Sequence, residues 1–301
     1  MSKTKLFLAL FAVQILFGLN YVSTKILLHD FHPLVWAFIR AFLASVFLFS
    51  YCFAFRPNRR LPEKTFLPLV LFALFGYVIN QGSFLTGLSL TTVTNASILS
   101  TLIPVFTLLI ATLGGKEKPS WARLMGFVLA MGGALSIHGT DNFSLRNETA
   151  IGDALIVINS ASYAFYLVMS KPFFEKHDRT WATAWLFLLG SLGLGILSIP
   201  YWDQHAAPVF TPTLLGAAAY NVFFGTLVAY FLANWALAHT RSSNVALFAY
   251  VQPLVATSAA WCFLDERLSA RSVFSACLIF MGVLLATQDG KSTKRTARTR
   301  V

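Results

Sequence analysis

The chain has 301 residues, of which 56% are hydrophobic and only 12% are charged. A soluble domain of this size could not bury so much apolar surface, so the composition excludes a soluble globular protein and indicates one that lies in a lipid bilayer. The net charge of +11 would suggest a nucleic-acid partner in a soluble protein, but here the charges stand in short clusters between apolar runs, and we expect no nucleic acid to bind.

Ten apolar runs follow one another along the chain. Each approaches the ~20 residues that a helix needs to cross the hydrocarbon core. The first run follows Lys3 and Lys5, as a signal peptide would, but it is too long for one and contains Asn20 and Lys25. We therefore predict an all-α integral membrane protein with ten transmembrane helices, over 6–28, 33–55, 66–88, 93–113, 121–138, 152–170, 181–200, 212–236, 243–264 and 270–287.

Lys and Arg are distributed unequally between the segments that connect these runs. If the N-terminus is cytoplasmic, eighteen of them fall on the cytoplasmic side and three, Arg146, Arg267 and Arg271, fall on the outer side. Membrane proteins keep their positive residues on the cytoplasmic side. We therefore expect a multi-pass protein of the inner (plasma) membrane with both termini in the cytoplasm.

The second half of the chain repeats the first. Pro104 matches Pro253 at an offset of 149 residues, and Lys25 matches Lys171 at an offset of 146. Because five helices per copy is an odd number, the second copy must enter the membrane from the opposite side. We expect inverted repeats, divided into a first five-helix copy (1–140), an external connecting loop (141–151), a second copy (152–290) and a basic cytoplasmic tail (291–301).

These patterns resemble the EamA type of the drug/metabolite transporter superfamily, over nearly all of residues 5–290. The resemblance rests on Phe17-Gly18-Leu19-Asn20 followed by Lys25, on Phe38-Ile39-Arg40, on Pro104-Val105-Phe106, and on Gln252-Pro253-Leu254 before Leu264-Asp265-Glu266-Arg267. It implies ten helices, two five-helix copies and alternating access to a central cavity. It does not imply a substrate, because the superfamily moves very different solutes.

Arg40 is a charged residue deep within a predicted span. It lies about seven residues into the second run, or ~10 Å below the membrane surface at 1.5 Å per residue. A charge at mid-bilayer costs at least ~2.5–3.5 kcal/mol, so it needs a role. Either it faces the cavity and binds an anionic group such as a carboxylate, or it snorkels outward or pairs with Asp30 or Asp153. The second half carries Leu189 at the matching position.

Several neutral polar side chains share the depth of Arg40 and predict one polar pocket that opens outward. In lipid such groups must either be satisfied within the protein or face water. The alternative is that the amides form hydrogen bonds between helices and that the tyrosines only pack. The candidate substrate-binding residues are Asn20, Arg40, Tyr77, Asn80, Gln81, Asn159, Tyr163 and Asn221.

Two pairs of matching residues are candidate gates or hinges. Lys25 and Lys171 lie near opposite ends of the first and sixth spans, where each can anchor its helix at the interface, gate the pocket or contact substrate. Pro104 and Pro253 lie within the fourth and ninth spans, and each removes one backbone hydrogen bond. The result is either a hinge or a static kink.

Other chemistries have little support in the chain. No Asp or Glu lies in mid-span, which disfavours lipophilic cations as substrates, and no P-loop supplies ATP hydrolysis. Because no catalytic motif is present and Cys52, Cys262 and Cys277 are far apart, we expect no enzyme, no cofactor and no metal.

We therefore predict a secondary transporter that moves a small polar metabolite, an amino acid or an organic acid, by alternating access, with export favoured. The substrate is anionic if Arg40 binds it. The alternative is a flippase or exporter of hydrophobic drugs or lipid-linked molecules in the same fold. Either a monomer or a homodimer fits the sequence.

Overall fold

The computed structural model describes residues 3–56, 65–115, 121–136, 148–203, 211–282 and 285. Within these ranges the chain forms helices and turns and no strand, so the all-α prediction is confirmed. Eight helices are long and apolar enough to cross a membrane, and two shorter apolar helices accompany them. Most of the predicted connecting loop and the basic tail at 291–301 lie outside the described residues.

The ten helices, numbered α1 to α10 in chain order, coincide with the ten predicted runs. α6 is the longest, with 29 residues, and it begins and ends beyond the predicted 152–170. The bounds are α1 Lys3–Leu27, α2 Pro33–Phe55, α3 Phe66–Leu90, α4 Val93–Leu113, α5 Trp121–Ser136, α6 Glu148–Lys176, α7 Arg179–Tyr201, α8 Pro212–His239, α9 Ser242–Leu264 and α10 Ala270–Gly282.

Four helices are interrupted at mid-height. α3 and α8 each contain a π-helical segment, Leu74–Ile79 and Tyr220–Val228, which apolar periodicity did not predict. α4 breaks in a turn just before Pro104, and α9 contains a short 3₁₀ turn just before Pro253. Because proline lacks an N–H, it is tolerated in the first turn of the helical segment that follows each break. Whether either break acts as a hinge stays a prediction.

The helix contacts of the first half have counterparts at the equivalent helices of the second half. α2 packs along α7, and α4 packs against α9. α1 packs against α8 and α9, just as α6 packs against α3 and α4. The set maps onto itself when α1 is exchanged with α6, α3 with α8 and α4 with α9. This arrangement agrees with a duplicated chain, while the opposite insertion of the two copies stays a prediction.

Small residues allow close backbone approach where α3 meets α6. A Cβ atom built on Gly87 would lie 2.8 Å from the carbonyl oxygen of Gly152, and one on Gly152 would lie 2.8 Å from that of Gly87. No larger side chain fits at either position without moving a helix. Large apolar side chains instead cover the outer surface, as expected for a protein surrounded by lipid: Phe53, Phe55, Leu113, Trp121, Ile196 and Phe263 are examples.

Candidate functional site

A pocket lies at mid-height in the bundle, among α1, α3, α4, α6, α8 and α9. It holds about 470 Å³ of empty space, counted with its mouth. Amides, hydroxyls and aromatic rings dominate its wall. The lining residues are Phe17, Asn20, Tyr21, Asn80, Gln81, Phe84, Ser100, Ile103, Asn159, Tyr163, Gly225, Tyr230 and Gln252.

The candidate substrate-binding residues converge on this pocket from five helices. Those in the lining are Asn20, Asn80, Gln81, Asn159 and Tyr163. Those behind the lining are Arg40, Tyr77 and Asn221. Arg40 therefore does not face the cavity directly, as one reading of the sequence expected, but is one side chain removed from it.

Asn80 and Gln81 present their amides where α3 resumes α-helical geometry after its π segment. The Gln81 Nε2 donates to Asn80 Oδ1 and to the Tyr230 hydroxyl, and that hydroxyl lies 3.1 Å from Asn80 Oδ1. Asn80 and Asn159 join α3 to α6, because the Nδ2 of each donates to the other's main-chain carbonyl, at 3.2 and 2.9 Å. One wall of the pocket is thus a continuous amide and hydroxyl network.

Arg40 lies behind this wall and is 1% exposed. Its Nη2 donates to Gln81 Oε1, and its Nη1 donates to Asn221 Oδ1 at 3.3 Å. Its Nε has no hydrogen-bond partner. A guanidinium carries five N–H donors, so these two acceptors leave donors unused.

The carboxylates that could have neutralised Arg40 lie elsewhere. Asp30 is beside His29, and Asp153 accepts from the Thr91 hydroxyl. In the part of the chain that the structure describes, no carboxylate forms an ion pair with Arg40. The explanation by pairing with Asp30 or Asp153 is therefore wrong.

Asn221 connects Arg40 to α1. Its Oδ1 accepts from the indole Nε1 of Trp36 at 2.9 Å as well as from Arg40, and its Nδ2 donates to Asn20 Oδ1 at 2.8 Å and to Thr24 Oγ1 at 2.7 Å. The polar roles of Trp36 and Thr24 were not predicted. An indole N–H in a buried run is a signal that could have pointed to one of them.

Tyr77 supports the pocket from behind rather than lining it. Its ring contacts those of Tyr230 and Phe187, with centroids 5.4 and 5.0 Å apart. Gly190 makes room for it, since a Cβ atom there would lie 2.7 Å from the Cβ of Tyr77. The Tyr77 hydroxyl, near Thr226, makes no hydrogen bond of acceptable geometry.

A second polar network, which the sequence analysis missed, lies on the α9 side of the pocket. The Tyr21 hydroxyl is 2.5 Å from Ser100 Oγ and 3.3 Å from Gln252 Oε1. Ser100 donates to the Ala96 carbonyl at 2.9 Å, and Gln252 Nε2 donates to Gln14 Oε1 at 2.6 Å. Two glutamines inside apolar runs were the available signal, because a buried amide needs partners.

Residues at matching positions of the two halves line the same pocket. Each first-half member is apolar and each second-half member carries a polar group, so the wall is chemically asymmetric although the backbone is duplicated. The pairs are Phe17 with Tyr163 and Phe84 with Tyr230, at an offset of 146, and Ile103 with Gln252, at 149.

The bundle is tightly closed at the end where α1 finishes, which we call the Lys25 end. The Lys25 ammonium donates to the carbonyl oxygens of Leu88 and Thr91, both at 2.7 Å, and to that of Ser89 at 3.3 Å. These carbonyls end α3, where the helix dipole favours a cation. All three ammonium protons are used, so Lys25 has none left for a substrate.

Glu266 closes the same end from the second half. Its carboxylate accepts from the main-chain N–H of Val93 at 2.9 Å and of Thr94 at 3.0 Å, the first residues of α4. Asp265 adopts a left-handed conformation, with φ of 53°, which turns the chain back at the end of α9. An acidic side chain at a helix N-terminus is stabilised by the dipole and by otherwise unpaired N–H groups.

The opposite end, which we call the Lys171 end, is looser in the described residues. Lys171 pairs with the exposed Glu175, and its Nζ is 3.5 Å from the Leu237 carbonyl oxygen. An open polar cleft lies there, lined by Lys171, Glu175, Ala238, His239, Thr240, Arg241 and Asn244. Phe17 and Tyr163, the less buried members of the pocket wall, also lie on this side. The less buried rim of the pocket thus lies toward the Lys171 end, and the expectation that the pocket opens outward stays a prediction.

Metal-ligating side chains do not gather into a cluster of three or more anywhere in the described ranges. Cys52 is buried in α2, whereas Cys262 and Cys277 are exposed on α9 and α10. The pocket therefore offers hydrogen bonds and one nearby positive charge as its means of recognition.

The comparison with known families decides the identity of this duplicated bundle. The EamA-like transporter family matches the chain twice, over residues 4–138 and 150–288. The chain belongs to this family. An EamA-like protein with these spans is a multi-pass membrane protein and a membrane transporter, and the two matches fall on the two halves that the repeat defined.

Individual relatives cover the whole bundle. An uncharacterized transporter of Archaeoglobus fulgidus is 30% identical over 291 residues, which are 95% of this chain and 98% of the relative. The uncharacterized transporter YoaV of Bacillus subtilis is 22% identical, over 94% of this chain and 97% of its own length. A WAT1-related protein of Arabidopsis thaliana is 22% identical, over 88% and 80%. A crystal structure of a protein with 15% identity superposes with a TM-score of 0.68 over 97% of this chain and 99% of that one, which shows a shared fold.

Proposed function

We propose that this EamA-like transporter is a secondary transporter of a small metabolite that carries a carboxylate, an amino acid or an organic acid. Arg40 carries the proposal. Its guanidinium is buried at mid-height, its Nε is unpaired, and none of the described carboxylates neutralises it. Burying an unpaired charge costs several kcal/mol, and an anion bound in the adjacent pocket would offset much of that cost.

Gln81 is the proposed link between Arg40 and the substrate. Its Oε1 accepts from the guanidinium, while its Nε2 belongs to the pocket wall beside Asn80 and Tyr230. Hydrogen bonds in a chain polarise one another, so a cation behind Gln81 makes the amide a stronger donor toward the pocket. A carboxylate in the pocket would replace Asn80 Oδ1 or the Tyr230 hydroxyl as the acceptor of the Gln81 N–H groups. Asn159 and Asn20 would complete the surroundings of the carboxylate.

Alternating access is the proposed mechanism, with inverted halves that exchange roles. Lys25 and Lys171 are the proposed gates, since each lies against the end of the equivalent helix, and the breaks before Pro104 and Pro253 are the proposed hinges. We further propose that the termini are cytoplasmic, in the inner membrane. The rim of the pocket on the Lys171 side then supports loading from the cytoplasm and export.

The test is transport into and out of proteoliposomes with labelled amino acids and organic acids, comparing Arg40→Met and Arg40→Lys with the parent. Arg40→Met has a similar length without charge, and such replacements of buried charges are often tolerated by the fold. We expect it to keep its melting temperature and to lose anion transport, while Arg40→Lys retains a part. Undiminished anion transport by Arg40→Met would sink the proposal.

The same vesicles separate this function from a flippase for hydrophobic drugs or lipid-linked molecules. A pocket with an amide network and a buried cation disfavours a lipophilic cation, so ethidium is the informative probe. The flippase or drug exporter would be favoured if the vesicles transported no acid, moved ethidium, and moved it equally well with Arg40→Met.

A further inference from the structure

Gln252 presents a buried carbonyl oxygen to the pocket, and the hydroxyl that reaches it, that of Tyr21 at 3.3 Å, has a nearer acceptor. The Tyr21 hydroxyl has one proton and two acceptors in reach, Ser100 Oγ at 2.5 Å and Gln252 Oε1 at 3.3 Å. Ser100 uses its own proton on the Ala96 carbonyl, so its Oγ is free to accept. The shorter hydrogen bonds therefore run from Tyr21 to Ser100 to Ala96, and Gln252 Oε1 keeps only the longer contact with Tyr21.

The orientation of the Gln252 amide is determined by Gln14. The Nε2 of Gln252 donates to Gln14 Oε1 at 2.6 Å, which directs Oε1 to the other side, toward Tyr21 and the pocket. Both glutamines are more than nine-tenths buried, at 5% and 3% exposure. A carbonyl oxygen has two lone pairs, so a ligand that supplies a donor can bind Gln252 Oε1 beside the long contact with Tyr21.

The two polar sides of the pocket differ in what they offer. The α3 side holds amide and hydroxyl donors in front of the Arg40 charge, while the α9 side holds the Gln252 acceptor. No hydrogen bond between described residues joins the two networks. Ile103 occupies the position equivalent to Gln252 in the first half, so duplication of the chain does not create a second acceptor of this kind.

We propose that Gln252 is a specificity-determining residue whose Oε1 accepts an N–H or O–H from the substrate, and that Gln14 positions it. The substrate class is therefore a carboxylic acid with a second, hydrogen-donating group, an amino or hydroxy acid, rather than a plain carboxylic acid. This inference rests on the proposed function, because it assumes that the acid group lies on the α3 side of the pocket.

The experiment uses the full chain in proteoliposomes and a five-carbon series of labelled acids: pentanoate, its 2-amino and 5-amino derivatives, and its 2-hydroxy and 5-hydroxy derivatives. We expect the parent to move at least one derivative with a kcat/KM about tenfold above that of pentanoate, as one satisfied hydrogen bond allows. Gln252→Met, of similar size but without the acceptor, should reduce that ratio to within about twofold, mainly through KM. Gln14→Met should reduce the ratio of the two kcat/KM values by a smaller factor than Gln252→Met does.

The outcomes separate this inference from the proposed function. Arg40-dependent transport in which pentanoate equals its derivatives, or in which Gln252→Met keeps the preference, overturns the role of Gln252 alone. If no acid of the series is moved by the parent, the role of Gln252 and the proposed function both fail. A melting temperature of Gln252→Met matching the parent excludes misfolding, and Gln252→Leu provides a second variant if the first does not fold.

Discussion

The Lys25 ammonium is 2.7 Å from the carbonyl oxygen of Thr91, and the Lys171 ammonium is 3.5 Å from the carbonyl oxygen of Leu237. Lys171 and Leu237 lie 146 positions after Lys25 and Thr91, respectively, so the second contact repeats the first. The two lysines therefore meet equivalent helix ends, one tightly and one loosely. A transporter whose two halves exchange roles between its two states would tighten one contact as it loosens the other. The asymmetry in this single conformation is what a bundle closed at the Lys25 end would show.

Replacing Lys25 by Met should open the Lys25 end. The variant loses three hydrogen bonds to carbonyls, and charge-assisted bonds contribute about 1.5–3 kcal/mol each, so a loss of even one shifts the equilibrium about tenfold. The measurement is the rate at which a membrane-impermeant thiol reagent, added outside, labels Ser100→Cys in a chain without Cys52, Cys262 and Cys277. We expect faster labelling in Lys25→Met.

Lys171→Met is the matched control for that experiment. Because Lys171 makes the looser contact, its removal should leave external labelling of Ser100→Cys unchanged or slower. Equal acceleration by both variants would mean that the lysines only stabilise the fold, and it would remove the gate from the mechanism.

Gly225→Ala should disrupt the network behind the pocket. A Cβ atom at this position would lie 2.1 Å from Asn20 Oδ1, so Asn20 must move and its bond with Asn221 must break. Overpacking of this kind costs about 1–3 kcal/mol, and we expect a lower melting temperature together with a roughly tenfold loss of substrate affinity.

Gly216 on the same helix offers a control without such a clash. A Cβ atom there meets nothing within 4 Å, and alanine is the better helix former by up to ~1 kcal/mol. Gly216→Ala should be neutral or slightly stabilising, with unchanged transport. Gly225→Ala behaving like Gly216→Ala would show that Asn20 has no role in binding.

Much of this site could be predicted because polar groups are conspicuous in apolar runs. Asn20, Asn80, Gln81 and Asn159 stand out in any membrane span, and their burial requires partners. Run length alone located all ten helices. Duplication was visible because residues such as Pro104 and Pro253 recur at a constant offset.

The direction in which each side chain points could not be predicted. It depends on the rotation of every helix, and the π segment Leu74–Ile79 changes that rotation within α3 although its sequence, LFGYVI, is merely apolar. For this reason Arg40 could be placed at the right depth but not behind Gln81. Gln252 escaped notice because its partner Gln14 lies 238 residues away, a separation that periodicity does not report.

Tyr230→Phe should destabilise the protein more than Tyr163→Phe. The Tyr230 hydroxyl contacts both Asn80 and Gln81, so its loss leaves a buried Gln81 N–H without a partner when no substrate is bound. That penalty is about 1–3 kcal/mol of unfolding free energy. The hydroxyl of Tyr163, by contrast, has no hydrogen bond to any described residue, and its loss should change the unfolding free energy by less than about 1 kcal/mol. Thermal unfolding of the detergent-solubilised protein without substrate is the measurement, and equal effects of the two variants would contradict the network.

Asp178→Ala should destabilise the bundle more than Asp178→Asn. Asp178 Oδ1 accepts from the N–H groups of Thr180 and Trp181 at the start of α7, and its Oδ2 lies 2.9 Å from Arg56 Nη1 at the end of α2. Asparagine can replace the cap but not the charge. Because Arg56 is 38% exposed, the ion pair itself contributes at most about 1 kcal/mol, whereas losing the cap costs about 1 kcal/mol more.

Thermal unfolding in detergent distinguishes the two contributions. We expect a small decrease in melting temperature for Asp178→Asn and a clearly larger one for Asp178→Ala, with added salt narrowing the gap between the parent and Asp178→Asn because it screens the ion pair. Arg56→Met should match Asp178→Asn, since it removes the same pair and leaves the cap in place. If Asp178→Asn were as unstable as Asp178→Ala, the charge and not the cap would hold α2 to α7 at this end, and the ion pair would be much stronger than its exposure allows.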